Sequence, residues 1–172
     1  MRCRHALIAL VLLCARFSPA AAEAQSFKKD YLSELEADKI RDAETTNERI
    51  TLFLTFAADR LKKFQYELEH PSPTRHEEML NRLLNAYVGC VDDGADLIQL
   101  GRQKQENIRT GIDLMIKRGK EFLDVLEKLS ASGPERELYK SNLEDAIEGT
   151  HDAIHDAETA KKEIAPPPVR RR

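Results

Sequence analysis

A single hydrophobic register runs through residues 74–131, within the longest proline-free stretch of this chain. Its positions recur at alternating steps of three and four residues, and most of them are large and apolar. A sustained spacing of about 3.5 residues is typical of long helices that pack as in a coiled coil. The positions are Leu80, Leu84, Tyr87, Val91, Gly94, Ile98, Gly101, Gln105, Ile108, Ile112, Met115, Gly119, Phe122, Leu126 and Leu129.

Two shorter stretches, residues 47–69 and 135–164, repeat the same alternation. Proline-containing turns at 70–73 and 132–134 separate the three stretches. No alternating β-branched run and no Asn-Gly hairpin turn suggests a strand. The chain is therefore predicted to be all-α, built from long antiparallel amphipathic helices. Two kinds of signal predict where the helices start: a serine or threonine followed three residues later by glutamate, and Pro134 in a first turn. The Ser/Thr–Glu pairs are Ser33 with Glu36, Thr45 with Glu48, and Thr74 with Glu77.

Residues 74–131 allow two architectures. In the first they form one long helix, flanked by two antiparallel helices that meet near its middle, where the register weakens to Gly94, Gly101 and Gln105. In the second the chain breaks near residues 101–107 and gives an up-down four-helix bundle. We favour the long helix, because the register is unbroken and residues 102–106 include none typical of a turn. A cross-section of only two helices would leave wide apolar faces exposed, so the long-helix form is expected to dimerise.

The ends of the chain are predicted to lie outside the helical domain. Residues 1–24 resemble a signal peptide, with Arg2 and Arg4 before an apolar run and Ala22-Glu23-Ala24 as the cleavage site. The mature protein then starts at Gln25, or alternatively at Glu23. Residues 25–46 form an extension with a short helix, residues 47–164 the helical domain, and residues 165–172 a disordered Pro/Arg tail. We expect export through the Sec pathway to the periplasm or the medium, without a membrane span.

Charge and cysteine content narrow the function classes. The chain has 27 basic and 30 acidic residues, and three basic and one acidic residue lie within 1–24, which leaves a net charge of −5 on the mature protein. A mildly acidic, well-mixed surface argues against a nucleic-acid partner. Cys90 is the one cysteine after the signal peptide, so an internal disulfide is excluded. Its apolar neighbours favour a buried thiol over an intermolecular disulfide.

One set of side chains has the spacing of metal ligands. His151 and His155 lie four residues apart, and Glu148 forms a Glu-x-x-His element with His151. Such groups bind zinc, copper or iron in helical bundles. Glutamate is frequent in this chain, so solvent-exposed helix surface is the competing interpretation. The acidic group Asp92, Asp93 and Asp96 likewise reads as a solvated face.

No motif for nucleophilic catalysis, phosphate binding or haem attachment occurs, so the sequence indicates no enzyme and no cofactor. The segments NERITLFLTFAADRLKKF (residues 47–64) and NAYVGCVDD (residues 85–93) resemble parts of small exported all-helical bacterial proteins of unknown function, a resemblance that implies no activity. The predicted function is a non-enzymatic scaffold or adaptor that associates through its helices, with itself or with a protein partner. The alternative is a metal-binding bundle for storage, transport or redox chemistry.

Overall fold

The computed structural model describes residues 30–163, and this range contains five α-helices and no strand. The all-α prediction is therefore confirmed. The predicted signal peptide, the first residues of the extension and the Pro/Arg tail lie outside the described residues. The helices are α1 (Glu34–Asp42), α2 (Thr46–Glu69), α3 (His76–Gln103), α4 (Arg109–Ser132) and α5 (Lys140–Glu163), with a short 3₁₀ turn, Arg136–Leu138, before α5.

The preference for one long helix over residues 74–131 was wrong, because the chain turns between α3 and α4. Gln105 has φ = 57°, in the left-handed region. The N–H of Glu106 donates to the carbonyl of Gly101 at 2.9 Å, and the N–H of Gln105 donates to the carbonyl of Arg102 at 3.1 Å. These two bonds form a Schellman motif, which ends a helix. Glycine usually holds the left-handed position, and the glutamine here conceals the turn in the sequence.

Helices α2 to α5 form the four-helix bundle that was the second alternative. Successive helices alternate in direction, and around the bundle the order is α2, α3, α5, α4. As a result α3 and α5 are parallel neighbours, with a Tyr87–Thr150 hydroxyl hydrogen bond of 2.6 Å between them. Helices α2 and α4 are also parallel neighbours, joined where the Asn47 side chain accepts from the Gly111 N–H at 2.8 Å. The α3–α4 turn therefore connects two helices that lie diagonally across the bundle.

The register positions form the core of this bundle. Every position of the 74–131 register is buried except Leu129, which is partly buried, and Gln105, which is exposed in the turn. Small residues dominate the buried face of α5, which lets this helix approach its neighbours closely. At one end of the core the rings of Phe64 and Tyr139 meet edge to face, 5.0 Å apart. The buried small residues of α5 are Ala146, Thr150, Ala153, Ala157 and Ala160.

The predicted helix starts were correct for α1 and α2 and wrong for the later helices. Ser33 and Thr45 both form complete capping boxes with the glutamate three residues later. Thr74 caps nothing, because α3 begins at His76 after a turn and its N-cap residue, Arg75, makes no side-chain cap. The last helix starts at Lys140 rather than near Pro134, because Glu135 is left-handed (φ = 50°) and leads into the 3₁₀ turn.

Candidate functional site

An N-terminal arm, residues 30–43, lies against the outer face of α2 and α3 and includes α1. None of the residues of α1 is buried, so this helix is not part of the core. The arm's partly buried side chains Tyr31, Leu32 and Ile40 pack against the core from outside, and polar contacts add to this packing. The guanidinium of Arg60, a side chain that is 9% exposed, donates to the Glu36 carboxylate at 2.7 Å and to the Tyr31 carbonyl at 3.2 Å. A third contact joins Arg60 to Asp59 at 2.7 Å.

The contact between Glu36 and Arg60 shifts the pKa of both groups. Burial disfavours the charge of Glu36, but the hydrogen bond from Arg60 and those from Ser33 outweigh it and hold the pKa of this carboxyl below its usual range. Burial also opposes the charge of Arg60, and Glu36 outweighs it, so the pKa of the guanidinium is raised. Both groups are therefore charged at neutral pH. Removing one partner of such an ion pair, while the other stays in place, should destabilise the protein by about 3 kcal/mol or more.

A second anchor of the arm is the Tyr31 side chain. Its hydroxyl donates to the carboxylate of Asp93 on α3. Its ring lies directly over Gly89, where an added Cβ would come within 2.8 Å of two ring carbons. The glycine therefore provides the space in which the aromatic ring sits, and the arm is seated on α3 through this residue.

Beside these anchors, α1 and the α2–α3 face enclose an open groove, called here the α1 groove, with a volume of 890 Å³. Apolar side chains from the arm, α2 and α3 line much of its floor and walls. Leu100 on α3 keeps 42% of its surface exposed. The apolar lining residues are Leu32, Ala37, Ile40, Phe53, Leu97 and Leu100.

The charged rim of the α1 groove is unevenly distributed. The basic groups are already engaged, because Arg41 pairs with Asp38 at 2.7 Å and Arg49 donates to the Ala43 carbonyl at 3.1 Å. On the α3 side the rim carries Asp96, which forms no ion pair within residues 30–163. The groove therefore combines an apolar floor with an acidic wall on α3.

The acidic wall continues from the groove onto α5. Asp92 lies one turn before Asp96, and burial together with the charges of Asp96 and Asp152 raises the pKa of the Asp92 carboxyl. Within the described range none of these three carboxylates is paired with a lysine or arginine. Asp93, the third member of the predicted acidic group, differs because it accepts the Tyr31 hydroxyl. The group is thus partly a solvated face, as predicted, and partly the anchor of the arm.

The predicted metal ligands Glu148, His151 and His155 are all exposed on α5. His151 has an acidic neighbour on α4, where a carboxylate oxygen of Glu127 lies 3.9 Å from its Nε2. Among residues 30–163 no three histidine, cysteine, aspartate or glutamate side chains are grouped as a metal would require. Zinc, copper or iron binding stays a prediction, to be checked by metal analysis of the purified protein.

Cys90 is completely buried and is not in a disulfide, as the sequence predicted. It lies on the face of α3 that packs in the core, so solvent does not reach its sulfur. The thiol consequently has no access to an oxidant or to a second chain while the bundle is folded.

The residues that hold the arm were missed in the sequence, although a signal existed. Phe53, Phe56, Arg60 and Glu67 are buried at helical spacing on a second face of α2, beside its main register. A charged residue in such a row has to find a partner, and the sequence alone does not say which one. Gly89 likewise gave no indication that an aromatic ring covers it.

None of the helices within the described range is long and apolar enough to cross a membrane. No protein-family model, no curated protein and no solved structure shows significant similarity to this chain.

Proposed function

We propose that the protein is an exported, non-enzymatic adaptor that binds an amphipathic helix of a partner protein in the α1 groove. The observation that carries this proposal is the groove itself, which has an open apolar floor that the protein's own α1 does not fill. Export is supported by the signal-peptide pattern of residues 1–24, and the non-enzymatic character by the lack of a catalytic motif in the sequence.

A helix suits this groove better than a small molecule does. The walls are helices, and the floor is open, so the slot accepts a rod that lies along it. Apolar residues spaced at three and four positions on the partner would contact Leu97 and Leu100, which keep exposed surface on α3. The partner then adds one more helix to the outer face of α2 and α3, which is how amphipathic helices are commonly recognised.

The charge of the rim specifies the partner further. Arg41 of the arm and Arg49 of α2 have partners within the chain, whereas Asp96 and the neighbouring Asp92 repel one another and, among the described residues, have no basic partner. A lysine or arginine on the polar face of the partner helix would relieve this repulsion. The expected occupant is therefore a basic amphipathic helix.

Fluorescence anisotropy with a labelled 18-residue Leu/Lys amphipathic peptide tests the proposal. We expect saturable binding, weakened about tenfold or more by Leu100→Asp, a charge that would oppose the apolar face of the peptide. The matched control is Leu35→Asp, since Leu35 is 66% exposed on α1 and does not line the groove. Asp96→Asn should weaken the Leu/Lys peptide, and a Leu/Glu peptide should not bind.

Two outcomes would contradict the proposal. Equal losses with Leu100→Asp and Leu35→Asp would mean that the peptide binds apolar surface without regard to the groove. A dimer that sedimentation equilibrium detects, and that Leu100→Asp dissociates, would mean that a second copy of the chain occupies the groove. Circular dichroism of each variant confirms that the helices remain intact.

A further inference from the structure

The end of the bundle opposite the α1 groove brings two connections together. Helices α3 and α5 are parallel neighbours, so the proline turn before α3 and the 3₁₀ turn before α5 lie at the same end. Asn81 on α3 donates to the Leu138 carbonyl at 2.8 Å and accepts from the Asn142 side chain at 2.7 Å. The first turns of α3 are thus in direct contact with the α4–α5 connection and with the start of α5.

His76, the first residue of α3, lies between two carboxylates at this end. Its Nδ1 is 2.8 Å from a carboxylate oxygen of Glu67 at the end of α2, and its Nε2 is 2.9 Å from one of Glu135 in the α4–α5 connection. The imidazole is 14% exposed and the Glu67 side chain 10% exposed. Ser72 completes the set, since its N–H and its hydroxyl donate to the two oxygens of Glu67 at 2.7 and 2.9 Å.

This geometry requires a charged imidazole. An ionised carboxylate only accepts hydrogen bonds, so both ring nitrogens must donate. A neutral histidine has one N–H and one lone pair, and it can serve only one of the two glutamates. The hydrogen bond with Glu67, and then the one with Glu135, raises the pKa of His76 despite the opposing effect of burial. In turn, His76 and the backbone of Ser72 lower the pKa of Glu67.

We propose that protonated His76 is a latch that fastens the α4–α5 connection to the α2–α3 turn, and that loss of its proton releases Glu135. The order of release follows from the contacts. Glu67 is nearly buried and is also held by Ser72, so the one remaining N–H stays with it. Glu135 is 56% exposed and can exchange the imidazole for water. Its left-handed backbone (φ = 50°) gives the turn a further reason to relax once the side chain is free.

The arginines that adjoin His76 and Glu135 in sequence already have partners of their own. Arg75 lies 3.8 Å from Glu78 on the first turn of α3, and Arg136 lies 3.7 Å from Glu137 beside Glu135. From α2 the charged group that faces the imidazole is Glu67, and from the α4–α5 connection it is Glu135. The remaining charged side chain of the first α3 turn is Glu77. The acidic surroundings all favour the protonated ring.

The latch has a defined pH window. The pKa of His76 is raised above its ordinary value of 6.5, so its contribution is complete below pH 6.5 and is lost as the pH rises through the raised value. The pKa of Glu67 is lowered from 4.5, so its contribution is complete above pH 4.5 and is lost as the pH falls through the lowered value. The connection is therefore fully fastened between pH 4.5 and 6.5, and it opens as the pH rises through the raised pKa of His76.

The connection that the latch fastens lies over one end of the core. Tyr139, directly after the 3₁₀ turn, is 1% exposed, and its hydroxyl donates to the Pro134 carbonyl at 2.8 Å. The N–H groups of Leu138 and Tyr139 donate to the carbonyls of Glu135 and Arg136. When Glu135 is released, these two amide groups should exchange first.

Amide exchange by NMR, followed across the His76 titration and corrected for intrinsic rates, tests the latch. We expect Leu138 and Tyr139 to exchange faster above the titration, by about tenfold for each unit by which latching raises the pKa of His76. The reference amide is Glu106 at the opposite end of the bundle, which bonds to Gly101 and should show no such step. Absence of a step at Leu138 and Tyr139 would overturn the proposal.

Three variants make the test specific. Glu135→Gln should keep the connection closed at every pH, because an amide accepts from the protonated ring and donates to the neutral one. His76→Gln should remove the step and leave the connection open throughout. His70→Gln is the matched control and should retain the step, since His70 stacks on Tyr66 outside the latch. A step that survives in Glu135→Gln would overturn the proposal even if His76→Gln failed to fold.

Discussion

Two helical glycines in this bundle have opposite surroundings. Gly101 lies near the end of α3, where an added Cβ would come within 2.5 Å of Ile108 Cγ2. Gly149 lies in α5, where the nearest atoms, on Asp92 and Val88, would be 3.6 and 3.9 Å away at ordinary contact distance. The first glycine is required by packing, and the second is not.

We therefore expect alanine to have opposite effects at these positions. Gly101→Ala should destabilise the protein by about 1–3 kcal/mol, because Ile108 is fully buried and has little room to move. Gly149→Ala should stabilise it by about 0.5–1 kcal/mol, since alanine restricts the unfolded chain and favours helix. Urea unfolding at pH 7 measures both. A gain in Gly101→Ala would mean that the α3–α4 turn yields more easily than its packing suggests.

At the residue scale, the sequence predicted core positions well and polar contacts poorly. Leu84, Ile98 and Met115 were assigned to the core from spacing alone, because an apolar side chain needs only to be on the correct face. His76 and Arg60 act through named partners from other elements, and such pairs depend on the ring order of the helices. Spacing along one helix contains no information about that order.

At the scale of elements, the α3–α4 turn departs most from prediction. Gln105 holds a left-handed conformation at the position where a Schellman motif normally has glycine. The register did not reveal the turn, because Ile108 resumes it in phase on the far side. Capping boxes at α1 and α2 were readable, since they are local to a few residues. The starts of α3 and α5 depend on contacts between connections and could not be read locally.

Gln105→Gly should consequently stabilise the protein. Glycine adopts positive φ without the steric cost that a Cβ imposes, and the gain should be about 0.5–1 kcal/mol after its greater entropy loss. Gln103→Gly is the matched control, because Gln103 is the last residue of α3 and is also exposed. Glycine there should cost up to about 1 kcal/mol. Thermal unfolding measures the stability of both variants. An equal loss of stability in the two would contradict the role assigned to Gln105.

At the scale of the whole molecule, the apolar pattern was sufficient for the fold class and insufficient for the topology. A register identifies which face of each helix is buried, and four such faces can only satisfy one another around a common core. Whether α3 and α5 or α3 and α4 become neighbours depends on the length and direction of the connections. The five residues between α3 and α4 are enough to cross the bundle diagonally, and nothing in the register distinguishes this path.

From the same turn we infer a route to domain swapping. If residues 104–108 became helical, α3 and α4 would continue as one helix, and the α4–α5 pair would be carried beyond the reach of its own α2–α3 pair. Two such chains could complete each other's cores by exchanging these halves. We expect Gln105→Ala combined with Asn107→Ala to increase the fraction of dimer seen by size-exclusion chromatography with light scattering, since alanine favours helix. Gln105→Gly should decrease that fraction. The single residue that divides the register would then determine whether the bundle is built from one chain or from two.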